Sequence, residues 1–304
     1  MLNTDYKILT KILVNRLKVH LNTLVDPDQT CTVPGRDIRD GILKIYNIAN
    51  YVCQNDMDGL ILSVDHMAAF DIIEWKYLFM VIEYFGLGNN FCHWIKTIYS
   101  EGKTESIIQI NGTLSEPFKV TRGIRQGCPL SPILYVLISE TVTNYIRNMK
   151  SIIGLKIFGN EYKITNYADD TNFFLQDFGA VKEIFHTYTL FQQASGATLK
   201  KEKTKILFLN KTSLHLTIPR HYEQYVISDM KLYGIHFDKN GVNTEQNISN
   251  FDTSLRNLKN RYVGPETSFW ARCRIADTYY LTLLWFSGLF TCISDEKIRE
   301  VEKI

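Results

Sequence analysis

The segment between Lys163 and Leu175 restricts the fold of this chain more than any other. Two stretches rich in β-branched and aromatic residues, 163–167 and 171–175, flank Ala168-Asp169-Asp170. Such stretches predict strands, and aspartate in a tight connection between them is typical of a hairpin turn. Adjacent carboxylates repel each other and gain nothing from burial in an apolar core, so the pair by itself is explained by a solvated turn.

A further carboxylate follows another predicted strand. The nearly all-apolar run 60–64 predicts a buried strand that ends at Asp65. If this strand lies beside the hairpin, then Asp65, Asp169 and Asp170 converge. Hard cations such as Mg²⁺ prefer oxygen ligands. Two such ions about 4 Å apart can hold the attacking and leaving oxygens of a phosphoryl transfer.

Residues 122–132 concentrate glycine and proline in front of a predicted helix. We expect Ser131 to cap this helix, with Pro132 in the first turn, and the helix to reach about Met149. Glycine lets the backbone approach a ligand closely, and Arg122 and Arg125 could contact phosphate. A loop that only shapes the entrance to the helix, with solvated arginines, explains the same residues.

The rest of the chain predicts a mixture of helices and strands. Apolar residues at helical spacing predict helices over 5–25, 38–53, 74–85, 90–100, 180–194 and a stripe from Ile248 to Tyr262. Asn111-Gly112 predicts a hairpin turn, and 205–209 predicts a strand. The apolar stretch 279–293 is too short to span a bilayer and predicts a core helix.

Composition excludes several classes of protein. Of the 304 residues, 45% are hydrophobic and 22% are charged, which excludes a disordered, fibrous or low-complexity chain. The net charge of +2 is lower than in a dedicated nucleic-acid-binding domain, yet it is compatible with a polymerase whose metal-binding carboxylates add negative charge. The six cysteines lack metal-binding spacing, so we expect free thiols in a reducing compartment.

Three motifs stand in the order of motifs A, B and C of a reverse transcriptase, which they resemble. They are Asp65-x-x-x-Ala69-Phe70-Asp71, the loop 122–132 and Tyr167-Ala168-Asp169-Asp170. The surrounding sequence is similar to the LINE-type (non-LTR retrotransposon) branch, at residues 3–9, Asp28-Gln29, Ser195-Gly196 and 202–204. The string 32–36 is most similar to elements of the Xenopus transposon type.

This resemblance covers roughly residues 3–240 and implies an α+β right-hand polymerase. Partial fingers would occupy residues 1–58. The palm, an antiparallel sheet with helices and fingers insertions, would occupy 59–210. The end of the palm and a helical thumb would occupy 211–304, with a soft boundary near 210–240.

The resemblance also implies roles for individual residues. Asp65, Asp169 and Asp170 would hold two Mg²⁺ ions, or Mn²⁺, and Lys203 would be the general acid for the pyrophosphate leaving group. Phe70 would be a steric gate against a ribose 2′-hydroxyl. The substrate-binding residues would be Gln126, Gly127, Arg36 and Arg125.

From the residues alone, each of these roles has a structural alternative. Phe70 could be an ordinary core aromatic, and Lys203 lies in a charged run that is typical of solvated surface. Asp71 is expected to be structural, for instance as a cap of the following helix. His66 and His93 are expected to be packing or surface residues.

The function implied is RNA-directed DNA polymerase, a nucleotidyltransferase that uses an RNA template, a DNA primer and deoxynucleoside triphosphates. We expect an intracellular protein, in the nucleus or cytoplasm, without membrane contact. We expect this chain to lack the endonuclease domain of such elements, and therefore do not expect self-sufficient integration. Departures from the family pattern at His66, Ala68, Lys200 and 232–234 leave an alternative: a truncated, decayed remnant that at most binds nucleic acid.

Overall fold

A computed structural model of the chain describes residues 2–67, 70–100, 104–210, 218–262 and 267–302. Ala68 and Ala69, in the motif that begins at Asp65, lie outside the described residues. The described helices are α1 (Thr4–Lys18), α2 (Leu21–Leu24), α3 (Ile38–Gln54), α4 (Trp75–Tyr84), α5 (Asn89–Ile98), α6 (Ser131–Asn148), α7 (Phe178–Ser195), α8 (Thr244–Tyr262), α9 (Phe269–Ile275), α10 (Thr282–Gly288) and α11 (Asp295–Glu302).

The described strands are short. They are β1 (Gly59–Val64), β2 (His66–Met67), β3 (Glu105–Ser106), β4 (Gln109–Ile110), β5 (Thr113–Leu114), β6 (Phe118–Lys119), β7 (Leu155–Ile157), β8 (Asn160–Tyr162), β9 (Ile164–Tyr167), β10 (Asp170–Leu175), β11 (Thr198–Leu199), β12 (Lys205–Leu209), β13 (Val226–Ile227), β14 (Asp229–Leu232), β15 (Ile235–Asp238) and β16 (Gly241–Val242). Short 3₁₀ segments span Lys201–Lys203 and Arg220–Tyr225, and a π-helical segment spans Ala276–Leu281.

The chain divides into two units that are interleaved along the sequence. The first contains residues 1–41, 60–206 and 216–225, and the second contains 42–59, 207–215 and 226–304. The predicted division into fingers, palm and thumb stays a prediction. No helix within the described ranges combines the length and hydrophobicity needed to cross a membrane.

The antiparallel sheet of the first unit is built around β10. This strand pairs with β1 on one side, from Leu60 opposite Leu175 to Val64 opposite Thr171. On the other side it pairs with β9, with Tyr167 opposite Asp170. Because β1 ends where the β9–β10 hairpin turns, Asp65 lies at the same end of the sheet as that turn. The sequence expectation that β1 lies beside the hairpin is therefore confirmed.

A layer of helices packs on this sheet through α7, which contacts β10. Helix α6 is buried along most of its length, from Ser131 to Ile146, and packs with α4 and α7. Trp75, at the start of α4, is buried and its indole N–H donates to the carbonyl of Gly123 at 2.8 Å. This bond ties the glycine-rich loop to the start of α4.

The second unit has a small sheet and a helical core. Strands β14, β15 and β16 form an antiparallel meander. The predicted stripe on α8 is confirmed, since Phe251 and Leu255 are buried with Tyr280 in one cluster. The predicted core helix over 279–293 is wrong in part: a π-helical segment leads into α10, none of whose residues is fully buried, and Trp285 is 71% exposed.

Two further local predictions need correction. Leu130 holds the cap position of α6 and Ser131 is the first residue of the helix, with its hydroxyl donating to the carbonyl of Arg125 at 2.7 Å. The single helix predicted over 5–25 is broken between α1 and α2, and Leu21 and Val25 are buried beyond the break. The hairpin predicted at Asn111-Gly112 is confirmed, with both turn residues at positive φ.

Candidate active site

The paired carboxylates stand on a two-residue turn. Tyr167 pairs with Asp170, so only Ala168 and Asp169 form the connection, and Asp170 begins β10. Ala168 has φ of 55°, a left-handed conformation that favours glycine and strains a residue with a side chain. Two-residue hairpins require positive φ because only such turns match the twist of the strands. The turn thus holds the two carboxylates side by side at a local cost in backbone energy.

The three carboxylates lie close enough to perturb one another. Partial burial, together with the charges of Asp169 and Asp65, raises the pKa of Asp170 to about 6. Burial also raises the pKa of Asp169, and the charge of Asp65 acts in the same direction. The structure therefore brings Asp65 to the adjacent pair Asp169-Asp170, which is distant from it in sequence. The resulting concentration of negative charge favours a bound cation or proton.

Lys203 reaches this cluster through a short strand pairing. Strand β11 pairs with β2, with Leu199 opposite His66, and the N–H of Lys200 donates to the carbonyl of Asp65 at 2.8 Å. The ammonium of Lys203, in the 3₁₀ turn that follows, is ion-paired with Oδ2 of Asp65. This bond and the charge of Asp65 raise the pKa of Lys203. Although its side chain is 57% exposed, Lys203 is more than a solvated charge.

The donor set fits a hard divalent cation. Within the described ranges, no three histidine, cysteine, aspartate or glutamate side chains already stand together as a metal site. At Asp65 the cation is instead the ammonium of Lys203. Desolvation, together with the charges of Asp169 and Asp65, raises the pKa of Asp170, so Mg²⁺ or Mn²⁺, both of which prefer carboxylate oxygens, would stabilise the three carboxylates.

Phe70 rests on a buried aromatic layer. Its ring, which is half-buried, stacks on Tyr135 with centroids 5.3 Å apart and an interplanar angle of 28°. The hydroxyl of Tyr135 is in turn hydrogen-bonded to Nδ1 of His66. Phe70 thus has one packed side, as the core alternative requires, while it keeps exposed surface. Tyr135, the support of this ring, was not identified from the sequence.

His66 is a packing residue, which is one of the two roles expected from the sequence. Its imidazole is buried against the rings of Tyr188 and Phe191. Burial lowers the pKa of His66 to about 4, so the ring is neutral at pH 7. His93 lies on the exposed side of α5. His66 therefore adds no positive charge beside the carboxylate of Asp65 at pH 7.

The glycine-rich loop is anchored to Asp71. The side-chain amide of Gln126 donates to both carboxylate oxygens of Asp71, at 3.0 and 3.1 Å. The suggestion that Asp71 caps α4 is wrong, because Glu74 occupies that position. Gly123 has φ of 86°, and a Cβ there would lie 2.6 Å from the carbonyl oxygen of Asp71. Gly127 also has positive φ but faces open space.

The arginines of this loop line a cleft of about 750 Å³ with Tyr6, Asp71 and Gln126. The guanidinium of Arg125 lies over the ring of Tyr6, 4.8 Å from its centroid, and Arg122 is 3.9 Å from Glu74. A cation held against an aromatic ring keeps its charge available for phosphate. Binding of substrate by Gln126, Gly127 and Arg125 stays a prediction. The cleft lined by Arg125 and Gln126 is the surface where it can be tested.

Arg36 stabilises the backbone of the segment that precedes it. Its guanidinium donates to the backbone carbonyls of Val25, at 3.0 Å, Asp26 and Gln29, at 2.9 Å. These bonds fold the segment before Arg36 back on itself. The predicted contact of Arg36 with the triphosphate is untested, and the structure adds a scaffold role that sequence reasoning missed because its partners are backbone atoms.

Comparison with known proteins connects this geometry to a family. The family model described as reverse transcriptase (RNA-dependent DNA polymerase) matches residues 1–248. The "Transposon TX1 uncharacterized 149 kDa protein" of Xenopus laevis is 26% identical over 100% of this chain and 23% of its own length. The Pol polyprotein of the Drosophila melanogaster type-2 retrotransposable element R2DM is 29% identical over 55% of this chain and 15% of its own length. The chain thus spans less than a quarter of either relative.

Solved structures show the same fold at low sequence identity. Apo telomerase from Candida tropicalis superposes with a TM-score of 0.56 and 14% identity, over 92% of this chain and 44% of that one. Telomerase from Candida albicans, solved with a fragment of telomeric RNA, gives a TM-score of 0.53 and 10% identity, over 98% and 49%. At such identities the likeness concerns the fold alone, and it confirms the predicted α+β polymerase architecture.

Proposed function

Because this chain belongs to the reverse transcriptase family, as a non-LTR, LINE-type member, we propose that it adds deoxynucleotides to a DNA primer on an RNA template by two-metal phosphoryl transfer. The observation that carries the proposal is the convergence of Asp65, Asp169 and Asp170 at one end of the sheet, with Lys203 beside them. The substrates and nucleic-acid partners are part of the proposal.

The carboxylates would act as ligands, and Lys203 as a proton donor. When bound, two Mg²⁺ ions would activate the primer 3′-hydroxyl and hold the triphosphate. Asp65, Asp169 and Asp170 would hold them, because these carboxylates are oxygen donors that lie at the same end of the sheet. Lys203, released from Asp65, would be free to protonate the pyrophosphate leaving group.

Phe70 would select the sugar. Its ring is held on one side by Tyr135 and keeps exposed surface, so it can fill the volume that a ribose 2′-hydroxyl would need. Its backbone carbonyl accepts a hydrogen bond from Ile124 at 2.6 Å, which ties it to the loop that would contact the nucleotide. Gln126, Gly127, Arg36 and Arg125 complete the proposed substrate-binding set.

The alternative is a decayed remnant that binds nucleic acid without catalysis. The departures from the family pattern would support it if they disturbed the site. His66 replaces an aromatic residue but is buried among aromatic rings, and Lys200 still donates its backbone N–H to Asp65. Because His66 and Lys200 leave Asp65, Asp169 and Asp170 close enough to interact electrostatically, the catalytic proposal is favoured.

A primer-extension assay separates the two. The purified chain, an RNA template, a DNA primer and deoxynucleotides should give extension with Mg²⁺ and none with EDTA. Asp65→Asn should abolish extension. Asp177→Asn is the matched control: Asp177 caps α7 through a bond to the N–H of Ala180, and asparagine is an equally good cap. If the parent binds primer–template but never extends it, the remnant alternative holds.

A further inference from the structure

Gln29 is a fully buried amide that contacts the carboxylate-bearing turn. Its Oε1 accepts two backbone N–H groups, from Ala168 at 3.1 Å and from Cys31 at 3.0 Å. Ala168 is the residue held at φ of 55°, directly before Asp169. The side chain of Gln29 therefore bonds the backbone at the most strained position of the turn.

The backbone around Gln29 extends the same contact. Gln29 forms a parallel bridge with Asn166 of β9. The N–H of Asn166 donates to the carbonyl of Asp28 at 2.9 Å, and the N–H of Thr30 donates to the carbonyl of Asn166 at 3.0 Å. Residues 28–30 thus add a short edge to β9 immediately before the turn. We call residues 28–30 the edge segment.

Charged side chains hold the edge segment in place. Arg36 donates to the carbonyl of Gln29 and to two carbonyls before it. The guanidinium of Arg147, from α6, is ion-paired with Asp26 at 3.3 Å and with Asp28 at 3.4 Å. Since both ends of the edge segment are fixed, the acceptor oxygen of Gln29 has a fixed position relative to the sheet.

We propose that Gln29 is a positioning residue, which holds Ala168 in its left-handed conformation so that Asp169 and Asp170 face Asp65 as one cation site. The proposal rests on the function proposed above. A residue with a side chain tends to leave positive φ, and relaxation at Ala168 would rotate the following carboxylates. The acceptor oxygen opposes that relaxation because a buried N–H without a partner is unfavourable.

The test first removes the acceptor oxygen of Gln29 and then relieves the backbone strain at Ala168. Gln29→Met keeps the length of the side chain but has no acceptor oxygen. Binding of Mn²⁺ alone to the intact chain, measured by electron paramagnetic resonance, should weaken about tenfold, as expected for the loss of the buried hydrogen bond to Ala168, one of the two that Gln29→Met removes. The Mg²⁺ concentration for half-maximal extension should rise by a similar factor, while affinity for primer–template stays unchanged.

Ala168→Gly in the Gln29→Met background should restore most of the Mn²⁺ affinity, because glycine adopts positive φ without strain. A merely structural role for Gln29 would not be rescued at this position. Glu161→Met is the control: it also removes an Oε1 that accepts a backbone N–H, from Gly154 at 2.8 Å, but in the β7–β8 hairpin. It should leave Mn²⁺ binding unchanged.

Hydrogen exchange of the parent gives a measurement that does not depend on any variant folding. The amide of Ala168 should exchange more slowly than that of an exposed turn residue. Fast exchange at Ala168, unchanged Mn²⁺ binding in Gln29→Met, absence of rescue by Ala168→Gly, or absence of Mn²⁺ binding to the parent would each overturn the proposal. If the parent binds Mn²⁺ in a Gln29-dependent way but does not extend primers, the proposed function fails and the positioning role stands.

Discussion

The ammonium of Lys203 is ion-paired with the carboxylate of Asp65, across 138 residues of sequence. The pair joins the residue expected to donate a proton to a residue expected to hold a metal ion. Without metal, Lys203 therefore supplies the positive charge that neutralises Asp65. On metal binding the carboxylate would change partner, which couples loading of the site to release of the general acid.

Lys203→Ala should slow nucleotide addition about 10²–10⁴-fold, since that is the usual contribution of general acid catalysis. The loss should be seen in the single-turnover rate at saturating nucleotide. Mn²⁺ binding in the absence of nucleotide should be unchanged or tighter, because the competing ammonium is gone. Lys201→Ala, in the same 3₁₀ turn, is the control. A change in nucleotide affinity alone would instead make Lys203 a phosphate contact.

Asp169→Ala and Asp170→Ala should each abolish nucleotide addition without unfolding the protein. Both residues lie at the turn, and removal of one charge relieves repulsion from the other carboxylates. The melting temperature in EDTA should therefore be unchanged or higher than that of the parent. Normal extension by either variant would refute the assignment of these residues as ligands.

The raised pKa of Asp170 predicts a pH-dependent cation site. The native state holds this proton more tightly than the unfolded chain does, because the folded pKa is about 6 against the ordinary 3.8. The resulting stabilisation is complete below the unfolded pKa and is lost as pH rises through about 6. In EDTA, melting temperatures between pH 4 and 7.5 should show this loss, and Asp170→Asn should remove that component.

Cation binding should show the opposite trend with pH. Protons compete with the metal for Asp170, so Mn²⁺ affinity should rise between pH 5 and 7 and then level off. Mg²⁺ or Mn²⁺ should also raise the melting temperature at pH 7.5, where the repulsion is greatest. Pairwise titrations of parent and Asp170→Asn at pH 5.5 and 7.5 measure the effect, and equal affinities for the parent at both values would contradict it.

Phe70→Val should let the enzyme accept ribonucleotides far better than the parent does. Valine opens the volume of the ring without adding charge. The loss of stacking on Tyr135 should cost about 1–2 kcal/mol, less than the ~3 kcal/mol or more expected for a fully buried phenylalanine. The measurement is the ratio of deoxynucleotide to ribonucleotide incorporation efficiency on one primer–template.

Phe185→Val is the matched control for the sugar-selection experiment. Phe185 is another half-buried ring, stacked on Tyr222 with centroids 5.7 Å apart, and it belongs to α7 rather than to the site. It should lose similar stability and keep the parent ratio. An unmoved ratio in a Phe70→Val protein that still extends with deoxynucleotides would leave Phe70 as a packing residue.

Gly123→Ala should destabilise the protein more than Gly127→Ala. Both glycines have positive φ, so alanine at either position should cost about 1–2 kcal/mol of unfolding free energy. At Gly123 the added methyl group would also overlap the carbonyl oxygen of Asp71, for a further ~1–3 kcal/mol. Urea denaturation measures both losses, and equal losses would show that Asp71 can move away.

The elements of the site could be predicted from the sequence because they depend on local composition. The apolar run before Asp65 and the β-prone runs around Ala168-Asp169 identify strands and a turn wherever they occur in a fold. The ordered motifs then indicated the family. These inferences need only residues that are near one another in the chain, which is why the structure left most of them unchanged.

Tertiary structure alone decided which side chains meet. The register between β1 and β10 places Asp65 beside the turn, and a shift of one residue would have put it on the other face. The partners of Gln126, Lys203 and Gln29 are 55, 138 and 139 residues away in sequence. Such contacts depend on how whole elements pack, and on backbone atoms that carry no sequence signal. The sequence could therefore identify candidate residues, but it could not predict the hydrogen bonds and ion pairs that they form.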